Sequence, residues 1–342
     1  MANAYTDTSS GSLGNYLVQT AYDRYVEFAL RAVPLIRDVA DKRPVQQAMP
    51  GSSVVFQIYT DLSAVTSALS ETTDPDAVAL GNTTQVSVGL YEYGNASLAT
   101  RKLELFSLSD VDPAIADIIA FNMADSLDTV ALKELVGGPN VIQEAGGSTK
   151  SSYASTSGAV TAITNTDTIK AADIRLAVAK LRTNKVVPRQ GEYYWVGIHP
   201  EVSHDLRAET SSGGWRDDHK YSETGASEFW PGTIGTYEGA MFVESPRMFN
   251  TTDGSGASGA TGTFGTTGYT YGSGGVRVFR TMVAGKQALA EAVAEEPHVV
   301  FGPIVDKLMR FRPIGWYGVL GWKRYRDAAL VRIETTSSID KA

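Results

Sequence analysis

Residues 44–100 constrain the fold more than any other stretch. They carry five acids, Asp61, Glu71, Asp74, Asp76 and Glu92, and not one Lys or Arg. Two alternating apolar runs, from Val54 to Tyr59 and from Gln85 to Tyr91, flank a polar middle containing Pro75, Gly81 and Asn82. Alternation at period two is the pattern of a half-buried strand, so the simplest reading is strand, long excursion, return strand. The stretch has too little apolar mass to build a core of its own. A long hairpin of this kind must lie on something else.

The rest of the chain can supply a core. Of 342 residues, 43% are hydrophobic and 20% charged, which argues against wholesale disorder. There is no cysteine, and this excludes disulfide scaffolds, thiolate metal sites, iron–sulfur clusters and cysteine nucleophiles together. No apolar run approaches the ~18 residues of a membrane span, and no membrane partner is expected. The opening residues, 1–10, lack the basic and apolar regions of a secretory signal. Thirty Lys plus Arg against 38 Asp plus Glu give a formal charge of −8, unlike a protein that coats nucleic acid with a basic face.

Periodicity places the main elements. Residues 1–15 read as a small, polar arm. Leu17, Val18, Ala21, Tyr25, Phe28, Ala29, Ala32 and Val33 then recur at three- and four-residue spacing, an amphipathic helix that Pro34 restricts. A short helical turn over 35–39 follows. Asp112 and Pro113 open the strongest helix, because Asp caps an N-terminus and Pro fits the first helical position, where its missing N–H had no partner. Its stripe is Ile115, Ile118, Ile119, Met123, Leu127, Val130, Ala131 and Leu135, and Gly137-Gly138-Pro139 stops it. At ~1.5 Å per residue this rod is roughly 35 Å long. A Gly/Ser/Thr-rich linker over 146–158 leads to an α/β section: a helix over 173–181, a strand over 192–198 and a helix through Leu206. After a polar excursion over 209–232, strands return over 234–243. Residues 250–275 are almost wholly Gly, Thr, Ser and Ala, a surface loop by composition. The tail from Val276 to Ile333 alternates as strands do, with a short helical piece around Lys286 to Val293.

The chain offers no active site. Gly254, Gly256 and Gly259 spell a dinucleotide fingerprint, but no helix opens at the third glycine to meet a pyrophosphate. Ser203, His204 and Asp205 are the residue types of a hydrolase triad, yet neighbours on one helix point ~100° apart and cannot converge. His199 and His204 do not share a helical face, and His219 and His298 are isolated, so no metal site is expected. No cofactor is expected, and the chain is not read as an enzyme.

Basic residues cluster late. Lys307, Arg310, Arg312, Lys323, Arg324, Arg326 and Arg332 outnumber Asp306 and Asp327 between Phe301 and Arg332. Trp316, Tyr317, Trp322 and Tyr325 are interleaved with them. Basic plus aromatic can mean nucleic acid, but the acid-only hairpin is a better electrostatic mate for this strand-rich segment. Asp61, Glu71, Asp74, Asp76 and Glu92 on one side, and Arg310, Arg312, Lys323, Arg324 and Arg326 on the other, are therefore the candidate inter-subunit contacts.

In this order the features resemble a major capsid protein of a tailed bacteriophage, of the Hong Kong 97-like fold. The resemblance rests on the extended loop opened by Pro50-Gly51 and closed by Tyr93-Gly94, and on the helix after Asp112-Pro113. Ile234-Gly235, Gly239 and the Phe242–Ser245 run resemble the "IG…G…FVES" pattern of such proteins. Arg312-Pro313-Ile314-Gly315 through Gly321-Trp322-Lys323 to Ile333-Glu334 resembles their closing strands. It implies an α+β chain: N-terminal arm and helix over 1–43, extended β-hairpin loop over 44–105, peripheral domain with the spine helix over 106–150, axial domain over 151–297, and C-terminal strands of the peripheral domain over 298–342. It implies hexamers and pentamers of this chain tiling an icosahedral shell around double-stranded DNA, which is contacted non-specifically. A virion location, assembly in the host bacterial cytoplasm and a portal partner follow from the same likeness.

Two departures sharpen that expectation. Some relatives crosslink their shells through a Lys in the extended loop and an Asn of a neighbour. Residues 44–100 contain no Lys, so a non-covalent shell is expected here, with a cement or decoration protein as a further partner. Only some fifteen residues precede Tyr16, so a separate scaffolding protein and no cleavage of this chain are expected. The alternatives are an encapsulin-type compartment of the same fold, which holds an enzyme cargo, and, more distantly, a soluble α/β enzyme using the glycine tract.

Overall fold

The computed structural model describes residues 34–44, 53–59, 61–69, 71–72, 74, 77–79, 84–106, 111–143, 163–209, 233–249, 275–303, 308 and 310–339. The expected arm and helix over 1–33, the 146–158 linker, all but one residue of the 209–232 excursion and nearly all of the 250–275 tract lie outside the described residues. So do Asp76, Lys307, His219 and the glycine fingerprint.

The chain divides into two compact units, each with its own packing. The larger is built from Ala32–Gly94, Asn122–His298 and Tyr317–Ala342. Its centre is a six-stranded mixed sheet of β5 (Val141–Gln143), β12 (Leu330–Thr335), β9 (Phe279–Ala284), β6 (Tyr194–Ile198), β8 (Ala240–Glu244) and β7 (Thr233–Tyr237), in that order. β6 and β8 run parallel, as do β5 and β12, and the other neighbours are antiparallel. Every residue of β6 is buried, as its unbroken run of Tyr194, Trp195, Val196, Gly197 and Ile198 requires. Gly197 has to be glycine there: a Cβ would stand 2.4 Å from the Trp195 ring and 2.8 Å from Met248 Sδ. The β7–β8 hairpin turns on Glu238 (φ +49°) and Gly239 (φ +81°), the paired positive φ of the turn whose twist suits a two-residue hairpin.

Two helices cover this sheet. One is Ala171–Thr183, which follows a Lys170 N-cap bonded reciprocally to Asp173; the other is Pro200–Ala208, capped by His199. The first contributes Ile174, Ala177, Val178 and Leu181 and the second Val202 and Leu206, all packed on Val196, Ile198, Phe242, Val283 and Ile333. That is one amphipathic face from each helix on one sheet, the arrangement a period of 3.6 residues predicts.

The spine helix runs Val111–Val136, starting one residue before the expected cap. Its buried face in the larger unit is Leu127, Asp128, Ala131, Leu132, Leu135 and Val136. The expected stripe is right at Leu127, Ala131 and Leu135 but wrong at Ile118, which is half exposed. Asp128, a carboxylate at 1% exposure on the buried face, was not foreseen.

A second sheet has the order β1 (Asp41–Pro44), β10 (Leu289–Phe301), β11 (Phe311–Arg324), β4 (Tyr91–Thr100). β1 and β10 pair in parallel, Asp41 beside Ala290. The expected helical piece over 286–293 is corrected here to a turn followed by this strand. Ala288, Leu289, Ala290, Glu291 and Ala292 are all fully buried, so neighbours on both sides override the helix preference of Ala, Leu and Glu.

The smaller unit holds, among the described residues, Asn95–Phe121 and Val299–Trp316. It contains the short helix Arg101–Phe106 and the neighbouring ends of β4, β10 and β11. Arg101 N donates to Arg310 O at 2.9 Å, and Gly302 N to Pro313 O at 3.0 Å. A Cβ on Gly315 would stand 2.7 Å from Asn95 O, so β4 and β11 meet closely there.

Candidate assembly interface

The hairpin exists as its alternation predicts. β2 (Ser53–Ile58) and β3 (Thr84–Gly89) pair antiparallel, with Phe56 opposite Val86 and Val54 opposite Val88. The support it lacks in its own sequence comes first from its own chain. Phe56 and Val88 pack on Ala290, Ala292 and Tyr325. The Phe56 and Tyr325 rings stand 5.4 Å apart and tilted, and Tyr325 Oη donates to Gln57 O at 3.3 Å. Lys323 Nζ donates to Ser87 O at 3.0 Å. The base of the hairpin is thus clamped on β10 and the segment that closes β11.

Beyond Ile58 the situation inverts. Every described residue from Tyr59 to Ala79 is exposed, among them Leu62, Val65, Leu69 and Val78. Asp61, Glu71 and Asp74 sit on this uncovered stretch. Glu92 does not. It lies on β4, close enough to Tyr317 that it and Glu295, after desolvation, hold the phenol above its ordinary range. The stretch thus leaves a run of apolar residues in water beside three carboxylates, with no Lys or Arg between residues 44 and 100.

The basic segment is less uniform than its sequence suggests. Trp316, Trp322 and Tyr325 are buried, so they form no stacking platform. Arg332 is also buried and reaches Glu334 at 3.2 Å. Arg324 bonds Asp327 at 3.2 Å and Glu134 O at 2.8 Å. Arg310 lies over the Phe311 ring, while Arg310, Arg312 and Arg326 are exposed. The fold treats the described candidates differently. It engages Lys323 and Arg324 within the chain and leaves Arg326 on the surface.

What the sequence did not reveal is a buried ionic network holding the larger unit together. Asp128 accepts from the backbone N–H of Ile36 at 2.6 Å and from Arg247 Nε at 2.9 Å. Arg247 also pairs with Asp125 and donates to Thr129 Oγ1 at 2.9 Å. Burial pushes the Asp128 carboxyl up to about 6, against the pull of the backbone donors. Glu291, fully buried, takes Arg37 Nε at 2.8 Å, and Glu334 takes Arg280 Nε at 2.9 Å. Partners from 54 residues apart (Arg280 and Glu334) to 254 apart (Arg37 and Glu291) leave no local spacing to read. The only signal was an acid on the apolar face of a strong helix.

Ser203, His204 and Asp205 have separate partners. Ser203 is buried and donates to Glu244 Oε2 at 2.8 Å, while Asp205 accepts from Ser338 N at 2.7 Å. Among the described residues the exposed His204 reaches its neighbour Asp205, at 3.3 Å. His199 caps its helix through Nδ1 and is pushed down to about 4 by burial and then by Arg277. No group of three or more acids and histidines is placed to hold a metal among the described residues. Nor is any described helix long and apolar enough to cross a membrane.

A family model described as phage capsid protein matches residues 15–339. A comparison with curated protein sequences finds no match. Solved structures with the same fold include the capsid asymmetric unit of cyanophage Pam1, at TM-score 0.69 and 14% identity, covering 97% of this chain and 100% of that one. The acid-stable capsid of Helicobacter pylori bacteriophage KHP30 matches at TM-score 0.70 and 13% identity, covering 98% and 99%. The capsid of Ralstonia phage GP4 matches at TM-score 0.65 and 15% identity, covering 98% of each.

Proposed function

The chain belongs to the phage capsid protein family, and on that premise we propose that it is the major capsid protein of a tailed phage, assembling as hexamers and pentamers into an icosahedral head around double-stranded DNA. The observation that supports this most is the contrast within the hairpin. Its base is clamped on its own chain, and its outer part exposes Leu62, Val65, Leu69 and Val78 beside Asp61, Glu71 and Asp74. An extended segment that cannot bury itself is stable in a tile whose neighbours cover it, and interfaces of that obligate kind are large.

In this reading the chain is a structural subunit with no catalytic role. The spine helix and the strands around 298–342 form a peripheral domain, and residues 151–297 form most of an axial one. A scaffolding protein, a portal and a cement protein are its further partners, and assembly takes place in the host cytoplasm. The shell is held by non-covalent contacts, since residues 44–100 carry no Lys to form an isopeptide bond.

Electron microscopy of particles carrying this chain tests the reading. Angular heads with five- and six-fold rings and dense DNA are expected. Shells enclosing only protein would favour a cargo compartment, and a soluble oligomer that never forms shells would overturn the proposal. A covalent ladder on a denaturing gel of boiled particles would overturn the non-covalent shell alone.

A further inference from the structure

We propose that a cleft rimmed by Lys185, Lys286 and Arg326 receives the acidic excursion, residues 59–79, of a second copy of this chain. The inference rests on the reading of the chain as a self-assembling tile and assigns that tile a specific docking point. The cleft is formed by three segments of the larger unit, has a volume of about 130 Å³ and is floored by Val186, Val187, Ala328 and Ala329. Its walls are fixed to one another through the backbone. Lys286 N donates to Val187 O at 2.9 Å, Gly285 N to Ala329 O at 3.0 Å, and Arg326 N to Gln287 O at 3.0 Å. Asn184 Nδ2 adds a bond to Ala328 O at 3.3 Å. A receptor stitched in this way loses little freedom when it binds.

The three cations differ from Lys323 and Arg324 at the end of β11. Among the described residues, none of their side chains makes a hydrogen bond or an ion pair, whereas Lys323 and Arg324 do. Two acids beside the cleft are taken. Asp41 is held by Arg189 at 3.1 Å and by Gln287 N at 2.6 Å, and Asp327 by Arg324. Of the floor, Val187 stays in water at 58% exposure, while Ala329 is buried. The cleft thus asks for a carboxylate beside an apolar side chain. The excursion offers that pairing: Asp61 next to Leu62, and Glu71 shortly after Leu69, all exposed and with no cation in residues 44–100 to compete. Complementary charge of this kind fixes register and steers encounter.

Zero-length carbodiimide coupling tests the proposal on particles assembled from a mixture of nitrogen-15-labelled and unlabelled full-length chain. Mass spectrometry is expected to find Lys185 or Lys286 joined to Asp61, Glu71 or Asp74 in labelled–unlabelled pairs. Links confined to one label would place the contact within a chain, and links only to other acids would place another partner there; either overturns the proposal. If Lys185 and Lys286 are shielded from acetylation in DNA-filled heads but not in empty shells, nucleic acid phosphate is the occupant and the proposal fails. Charge reversal at Lys185, Lys286 and Arg326 to Glu is expected to lower shell yield about tenfold by sedimentation. Adding Asp61→Lys, Glu71→Lys and Asp74→Lys is expected to restore most of it. If the reversed chain does not fold, the milder Lys185→Gln, Lys286→Gln, Arg326→Gln chain is expected to move assembly to lower salt. An unchanged yield in a folded variant, or no rescue, overturns the docking point. Wild-type chain forming no shell at all would instead fail the tile reading.

Discussion

Phe56 and Val88, at the base of the hairpin, are 1% and 0% exposed, while Val65 and Leu69, a few residues further out, are 80% and 73% exposed. Residue types are similar in the two regions, and so is the lack of basic charge. The difference lies in what they lie against. At the base, Tyr325, Ala290 and Ala292 supply the surface the hairpin lacks. Further out nothing in the described chain does. Apolar side chains at the base thus stabilise the subunit, and those further out can lower free energy only when another surface arrives. The same hairpin serves folding at one end and, in the proposed reading, assembly at the other.

Mutations at the base should break the subunit itself. Phe56→Ala removes a fully buried ring from between Tyr325 and the β10 alanines and is expected to cost about 4 kcal/mol in denaturant unfolding of the unassembled chain. Asp128→Ala should cost about 3 kcal/mol, because it leaves Arg247 and the Ile36 N–H without their buried acceptor. If either variant unfolds like wild type while particle formation collapses, the division between a folding half and an assembling half is wrong.

That division was only partly legible in the sequence. Strand alternation over 54–59 and 85–91 gave the hairpin, and the stripe after Asp112 gave the spine helix, because both are local patterns repeated over several turns or pleats. The clamp at the hairpin base was not legible, since Phe56 and Tyr325 meet across 269 positions of chain and nothing local to either names the other. The strand at Leu289 was misread for a related reason: an Ala-rich run buried on both faces carries no period. Charge was the least legible property. Lys323, Arg324 and Arg326 look alike in the sequence, yet the fold engages two of them and leaves the third beside Lys185 and Lys286, residues remote in the chain that were not singled out.

The folded body holds a histidine and a carboxylate that burial moves out of their ordinary ranges. His199 is held neutral, near 4, below the ordinary histidine range. Its folded form resists protonation, so its contribution is full above about pH 6.5 and is lost as pH falls toward 4. Between pH 7 and pH 5 this amounts to about 2 kcal/mol. Asp128 works the other way: its raised value makes the fold gain stability as pH falls through about 6. Comparing wild type with His199→Gln at both pH values isolates the histidine. The variant is expected to lose less stability on acidification, and an identical pH profile would show that His199 is not the buried, neutral cap described here.

The smallest effect on the subunit should come from the outer hairpin, and it is the most telling one. Val65→Ser and Leu69→Ser replace side chains that already stand in water, so unfolding of the unassembled chain should move by no more than about 0.5 kcal/mol. Shell formation should nonetheless fall, because a neighbour that buries these side chains gains ~25 cal/mol for each Å² of apolar surface it covers, and serine returns little of that. Sedimentation of assembled against unassembled chain, measured beside denaturant unfolding of the same preparation, separates the two. A variant pair that keeps full subunit stability and loses shells assigns the exposed half of the hairpin to assembly. One that keeps both shows that these side chains face solvent in the particle too, and moves the contact to the carboxylates alone.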